Sequence, residues 1–287
     1  MPRMVRSLAV AALIACVALP TPAAPSVHAF EIFNSQGHRS LLIPSLHVPA
    51  EGIVQPSSAV METEGSFLVV EHFGPAPSAG EADNGWALWA KALTFPEHRT
   101  YVRRAACARA SAEAAEEALR RPSVQVANQY AYTSCKVPHL ASRDDILAES
   151  ANRFHRRRVA LEEYKWVERQ RHKVSLQAQS EAFRWILNRE VDDVLVPVVQ
   201  AFNIGDFESV AELTSASWGS ADSARGAYEP MVAERNVHWM ETLPRLLAEG
   251  GAVINVGAMH VPGPQGLVQL LRAAGFRVVP IELPAER

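Results

Sequence analysis

Two histidines stand at the ends of short apolar runs, where an imidazole could ligate a metal or take a proton. Ala252-Val253-Ile254-Asn255-Val256 leads into Gly257-Ala258-Met259-His260, and Ser40-Leu41-Leu42-Ile43 leads into Pro44-Ser45-Leu46-His47. A third run, Ser66-Phe67-Leu68-Val69-Val70, ends in the carboxylate of Glu71. A buried strand that terminates in a polar residue delivers that side chain to the carboxyl edge, which is where open α/β sheets bind their ligands. Each group also has a structural reading: a lone strand-end histidine can simply be a satisfied cap, and Glu71 can cap a helix or pair with a cation. Ser45, Ser57 and Ser58 lie near the first histidine, but nothing around them forms a nucleophile elbow. Neither a P-loop nor a dinucleotide fingerprint is present, and no Cys/His array suggests a zinc finger.

The elements that must position these groups follow from periodicity. Phe30 to Phe33, the polar turn Asn34-Ser35-Gln36-Gly37 and Ser40 to Ile43 read as a β-hairpin, and Ser66 to Glu71 as a buried strand. Thr100 to Arg121 reads as one alanine-rich helix stopped by Pro122. Asp144 to Asn188 reads as one broken helix or two, with Phe154, Leu161, Tyr164, Trp166, Val174, Phe183 and Trp185 available for packing. Arg156-Arg157-Arg158 falls in this stretch as a solvated face. Asp206 reads as an N-cap, and Glu229 to Ala248 as a helix stopped by Gly250-Gly251. The expected class is α/β: a central mixed sheet built from the N- and C-terminal segments, flanked by helices, with a helical insertion over about residues 100–200.

The chain has 287 residues, of which 48% are hydrophobic and 21% charged, enough to bury a substantial core. A net charge of −3, a pI near 6.4 and the absence of a basic stripe with interleaved aromatics argue against nucleic-acid binding. Arg3 and Arg6 followed by the apolar run Leu8 to Leu19 read as an export signal too short to span a membrane. Cleavage is expected at Val27-His28-Ala29 or in the Ala23-Ala24 region, with a signal peptide over 1–29, one domain over 30–287 and a periplasmic or secreted location. The alternative is a lipid anchor at Cys16, because Leu13-Ile14-Ala15-Cys16 matches a bacterial lipobox. No later segment is long and apolar enough to cross a bilayer. Removal of Cys16 leaves Cys107 and Cys135, and an even pair in an oxidising compartment suggests a disulfide. The other reading is a buried free Cys107 on its alanine-rich helix.

The hairpin, His47, Val69-Val70-Glu71, Gly205-Asp206 and Glu234-Arg235-Asn236 together resemble the TraB/GumN family. The most specific part of the likeness is Val256-Gly257-Ala258-Met259-His260-Val261-Pro262-Gly263-Pro264-Gln265-Gly266-Leu267. That family is related to the Tiki metalloproteases and, more distantly, to erythromycin esterase-like and ChaN-like folds. The resemblance implies two Gly-X-X-His motifs brought together with a glutamate and an arginine, here His47, Glu71, Arg235 and His260. It departs at Pro44, where the family pattern has glycine; proline cannot take the positive φ that glycine allows, which puts the pose of His47 in question.

Two neutral imidazoles and one carboxylate can hold a divalent metal with open positions, so His47, Glu71 and His260 are the expected ligands of manganese, cobalt or zinc. Glu71, Arg235 and His260 are the expected catalytic groups, Arg235 facing a developing oxyanion or a substrate carboxylate. Without a metal, one histidine would serve as general base with Glu71 orienting it. The implied function is an exported metal-dependent hydrolase of peptidase type acting on a peptide or small molecule. The alternative is a non-catalytic periplasmic ligand-binding or polysaccharide-assembly accessory protein on the same fold.

Overall fold

The computed structural model describes residues 25–74, 85–136 and 140–286. The chain first forms β1 (Ser26–Phe33), β2 (Arg39–Ser45), α1 (Val60–Thr63) and β3 (Phe67–Val70), then α2 (Phe95–Cys107), α3 (Ala112–Arg120), α4 (Gln125–Ala131) and α5 (Arg143–Arg153). A fourth strand, β4 (Arg157–Ala160), precedes α6 (Tyr164–Lys173), α7 (Leu176–Leu187), α8 (Val191–Asn203), α9 (Phe207–Ala216) and α10 (Ala221–Tyr228). A π-helical turn, Glu229–Ala233, runs into α11 (Glu234–Trp239), followed by α12 (Leu243–Glu249), β5 (Ala252–Gly257), α13 (Leu267–Ala273) and β6 (Arg277–Pro284).

The six strands form one mixed sheet in the order β4-β3-β5-β2-β1-β6, flanked by helices, as the sequence pattern predicts. β4, β3, β5 and β2 run parallel, and β1 is antiparallel to both β2 and β6. Every residue of β5 is buried, the pattern of a parallel strand covered on both faces. Alternation then sorts the side chains. Leu42, Phe67, Val69 and Ile254 pack towards residues of α8, α9, α12 and α13, whereas Leu41, Ile43, Leu68 and Val253 pack towards α1 and α5. A fully buried Val, Leu or Ile contributes about 1.5–3 kcal/mol, so a register slip of one residue is strongly disfavoured. Because β5 inserts between β3 and β2, residues more than two hundred positions apart end on the same edge.

The hairpin turn forms where expected: Asn34 Oδ1 accepts from the backbone N–H groups of Gln36 and His38, and Gly37 adopts φ +83°. The folded unit, however, starts before Phe30. Ser26–Ala29 pair with β6, and Val27 and Ala29 are buried, so cleavage after Ala29 would strip half of an interior strand. A processing point before Ser26, such as the Ala23-Ala24 region, would leave β1 whole. Of the export segment expected over 1–29, residues 1–24, with the apolar run Leu8 to Leu19 and Cys16, lie outside the described residues.

The middle departs from the sequence reading in three places. The helix expected over Thr100 to Arg121 is two helices. A capping box between Thr94 and Glu97 starts α2 early, and the chain breaks at Arg109, φ +61°, before Ser111 caps α3. The stretch from Asp144 to Asn188 contains a strand as well as three helices, so Arg157 and Arg158 lie on edge strand β4 and not on a helix face. Charged residues on a four-residue edge strand discourage pairing with other chains, and they also hide its strand character. Glu229 to Ala248 divides into the π turn, α11 and α12. Asp206 caps α9 as expected, accepting from Ser209 N–H at 3.1 Å.

Cys107 and Cys135 are disulfide-bonded, joining the end of α2 to the segment after α4. They belong to a helical lobe with its own core, in which Trp89, Tyr101, Leu119, Phe183 and Ile186 are fully buried. Among the described residues no helix is long and apolar enough to cross a membrane.

Candidate functional site

Each of the four parallel strands hands a polar side chain to the carboxyl edge within two or three residues of its end. β2 delivers His47, β3 delivers Glu71, β4 delivers Glu162 and β5 delivers His260, the last through a single 3-10 turn, Ala258–His260. Helix α11 adds Arg235 and Asn236, which the preceding π turn sets against the same edge.

Glu71 is the centre. Its Oε1 lies 3.0 Å from His47 Nε2 and 3.9 Å from His260 Nε2 and accepts from the Gly257 N–H at 2.6 Å. Its Oε2 accepts from Arg235 Nη2 at 2.6 Å. Burial opposes the charge, but His47 and Arg235 outweigh it and hold the carboxyl well below the usual carboxylate range.

The two histidines differ in environment. His260 is 4% exposed, packs against Trp239 and is bracketed by Asn236. Asn236 Oδ1 accepts from the ring Nδ1 at 2.7 Å, and Asn236 Nδ2 donates to the backbone carbonyls of His260 and Gln265. Burial pushes its pKa down to about 3, helped by Arg235 and His47 against the opposing pull of Glu71. The ring is therefore neutral, with its proton on Nδ1 and its Nε2 lone pair turned to Glu71 and Arg235. His47 keeps 51% of its side chain exposed. Desolvation disfavours its charge, yet Glu71 and Asp144 raise its pKa well above the ordinary value.

Arg235 is 5% exposed, and all its donor nitrogens face protein atoms. Nε and Nη2 both bond Glu162 Oε1, Nη2 also bonds Glu71, and Nη1 lies 3.3 Å from both Met231 O and His260 Nε2. So placed, it holds Glu71 and crowds His260; a substrate oxyanion would have to displace one of these contacts. Glu162 has a fully buried side chain, and among the described residues its Oε2 has no hydrogen-bond partner.

A resident metal can be tested against these donors. The Nδ1 atoms of both rings face acceptors, Asp144 Oδ1 for His47 at 3.2 Å and Asn236 Oδ1 for His260, so both Nε2 atoms turn towards one carboxylate oxygen. This is the outer-partner arrangement of metal-ligating histidines. Among the described residues no three His, Cys, Asp or Glu side chains already surround a common point at ligand distance. The donor types and orientations fit a divalent cation. Its entry requires the proton between His47 and Glu71 to leave and Arg235 Nη1 to withdraw from His260 Nε2.

The TraB/PrgY/gumN family model matches residues 30–280. The chain belongs to the TraB/PrgY/gumN family. No curated protein and no solved structure matches it.

Within this TraB/PrgY/gumN chain the glycine of the second motif has a steric reason for being there. Gly257 has φ −58°, which any residue can adopt, but a Cβ there would lie 2.6 Å from His47 Nε2 and 3.4 Å from Glu71 Oε1. The first motif needs no left-handed residue either: Pro44 sits in extended strand β2, and its carbonyl accepts from Arg143 Nη1 at 2.7 Å. Pro44 is thus no obstacle on backbone grounds. The structure brings His47, Glu71, Arg235 and His260 together and adds two residues the sequence reading lacks, Glu162 and Asp144. Glu162 was hidden with β4. A carboxylate after Val159-Ala160-Leu161 repeats the pattern of Glu71 after Val69-Val70, a signal available in the sequence.

Proposed function

We propose that this protein is an exported, metal-dependent hydrolase of peptidase type, with His47, Glu71 and His260 holding the cation. The observation that carries the reading is the convergence of two oriented Nε2 atoms on Glu71 Oε1, at 3.0 and 3.9 Å. A bound divalent cation would polarise a carbonyl and lower the pKa of water. The chain's own residues supply the rest. Arg235 keeps Glu71 ionised and fixed, Asn236 keeps the His260 proton on Nδ1, and half-exposed His47 is the side from which solvent and substrate reach the centre. Export is supported by the basic and apolar start of the chain and by the Cys107–Cys135 disulfide, a bond that persists in oxidising compartments.

A second reading has its own observation. Arg235 Nη1 stands 3.3 Å from His260 Nε2, the place a cation would need, which favours a closed ion-pair cluster in a non-catalytic binding protein.

Metal binding separates the two. The mature protein, stripped with chelator and titrated calorimetrically with Mn²⁺, Co²⁺ or Zn²⁺, should bind one equivalent and hydrolyse members of a mixed peptide library. His260→Ala should lose both properties while its thermal transition stays cooperative. Wild-type protein that binds none of the three metals would refute the hydrolase reading and leave the binding-protein reading standing.

A further inference from the structure

We infer that Asp144, in the first turn of α5, is the positioning residue that aims the His47 ring at Glu71. The inference rests on the metal-site reading above.

Ser45 and Asn255 are 1% and 2% exposed inside the sheet, where a polar side chain is costly unless hydrogen-bonded. Both aim their donors at one group. Ser45 Oγ donates to Asp144 Oδ2, and Asn255 Nδ2 donates to Asp144 Oδ1 at 2.8 Å. The carboxylate is thereby clamped between β2 and β5, the two strands that carry the histidines, and its remaining contact is His47 Nδ1 at 3.2 Å. His47 lies past the end of β2 with half its surface in water, so packing alone does not set its rotamer. An Nδ1–H bonded to a fixed acceptor leaves Nε2 one direction to face.

Two alternative duties for Asp144 are already filled by its neighbours. Capping of α5 belongs to Ser142 and Asp145, whose side chains bond each other and each other's backbone. Anchoring of the segment around His47 belongs to Arg143, which donates to Pro44 O and Val54 O and lies 4.4 Å over the Phe202 ring. Asp144 is left with the ring.

The test compares wild type, Asp144→Ala, Asp144→Asn and Asp145→Ala by Co²⁺ titration, by side-chain ¹⁵N NMR of His47 in the metal-free protein, and by thermal unfolding. Asp144→Ala should weaken Co²⁺ binding about 10–100-fold and lose the hydrogen-bonded Nδ1–H signal. Asp144→Asn, which keeps an acceptor, should recover most of both. Asp145→Ala should lower the melting temperature and leave affinity and signal unchanged. Wild-type affinity and an unchanged His47 signal in Asp144→Ala would overturn the proposal, as would equal losses in Asp145→Ala. If Asp144→Ala does not fold, Asp144→Leu fills the space without an acceptor and carries the same readings. If the wild type binds no metal, the hydrolase reading fails, while the NMR signal still decides the role of Asp144.

Discussion

The helical lobe and the sheet edge both bury charge, and they do so to different ends. In the lobe, Arg104 is 3% exposed and donates to the carbonyls of Ala131, Ile186 and Arg189, which close the C-terminal ends of α4 and α7. Glu97 completes the α2 capping box and accepts from Arg184 and Asn188. Those bonds end on backbone carbonyls or tie Glu97 to the more exposed Arg184 and Asn188. At the sheet edge the buried groups bond one another, Glu71 to Arg235 to Glu162 and Arg235 to His260, and among the described residues Glu162 Oε2 is left without a partner. Burial of charge therefore does not mark a site by itself. The mark is a set of buried groups that satisfy each other incompletely and face one point.

Replacing the central cation in each region should expose the difference most strongly. Arg235→Met leaves Glu71 and Glu162 without their counter-charge and should cost about 3–5 kcal/mol of unfolding free energy. Arg104→Met leaves neutral carbonyls unpaired, a penalty of about 1–3 kcal/mol. The two deficits should also respond differently to acid in urea unfolding. That of Arg235→Met narrows as pH falls and the stranded carboxylates take up protons, whereas that of Arg104→Met stays constant. Equal, pH-independent losses would erase the distinction.

The next effect belongs to the lobe alone. The Cys107–Cys135 bond closes a separation of 28 residues, and the paired substitution Cys107→Ser/Cys135→Ser should cost about 3 kcal/mol. If the lobe and the edge are independent in function, Co²⁺ affinity of the folded variant should match wild type. A large loss of affinity would mean that the lobe shapes the site.

What could be read in the sequence divides along the same line. β2, β3 and β5 announce themselves because each is an apolar run ending in a polar residue, and that sufficed to bring His47, Glu71 and His260 to one edge. β4 does not, because Arg157 and Arg158 on a short edge strand look like one face of a charged helix. Glu162 was lost with it. Asp144 was concealed differently: within Ser142-Arg143-Asp144-Asp145 an acidic residue reads as a helix start, and only the fold reveals that Asp145 does the capping while Asp144 reaches the sheet. The break at Arg109 turns on one left-handed residue that no periodicity encodes. Strand ends are legible where hydrophobicity changes abruptly; contacts made across the fold are not.

The smallest expected effect is a pH profile that separates the two histidines. In the metal-free protein His260 is held near pKa 3, well below the unfolded value of about 6.5. Below pH 6.5 the unfolded chain takes a proton there that the folded chain refuses, so stability falls with acidification by up to about 1.4 kcal/mol per pH unit. His72, also lowered by burial, adds to this limb. His47 has the opposite sign: its folded pKa is raised, so its contribution is complete below pH 6.5 and is lost as pH rises through the folded value. Glu71 and Asp144 are depressed, and they withdraw stability only below about pH 4. Glu97 in the lobe is held down by bonds from Thr94, Asn188 and Arg184 that outweigh its burial, so over most of the range from pH 4.5 to 8.5 it adds almost no slope, withdrawing stability only as the unfolded carboxyl, with its pKa of about 4.3, begins to take up protons. Urea unfolding across that range, with chelator present, should show a maximum near pH 6.5. His260→Asn should flatten most of the acid limb and His47→Asn the alkaline limb. A profile unchanged by either substitution would mean that the edge, like the lobe, has closed its charges off from solvent protons.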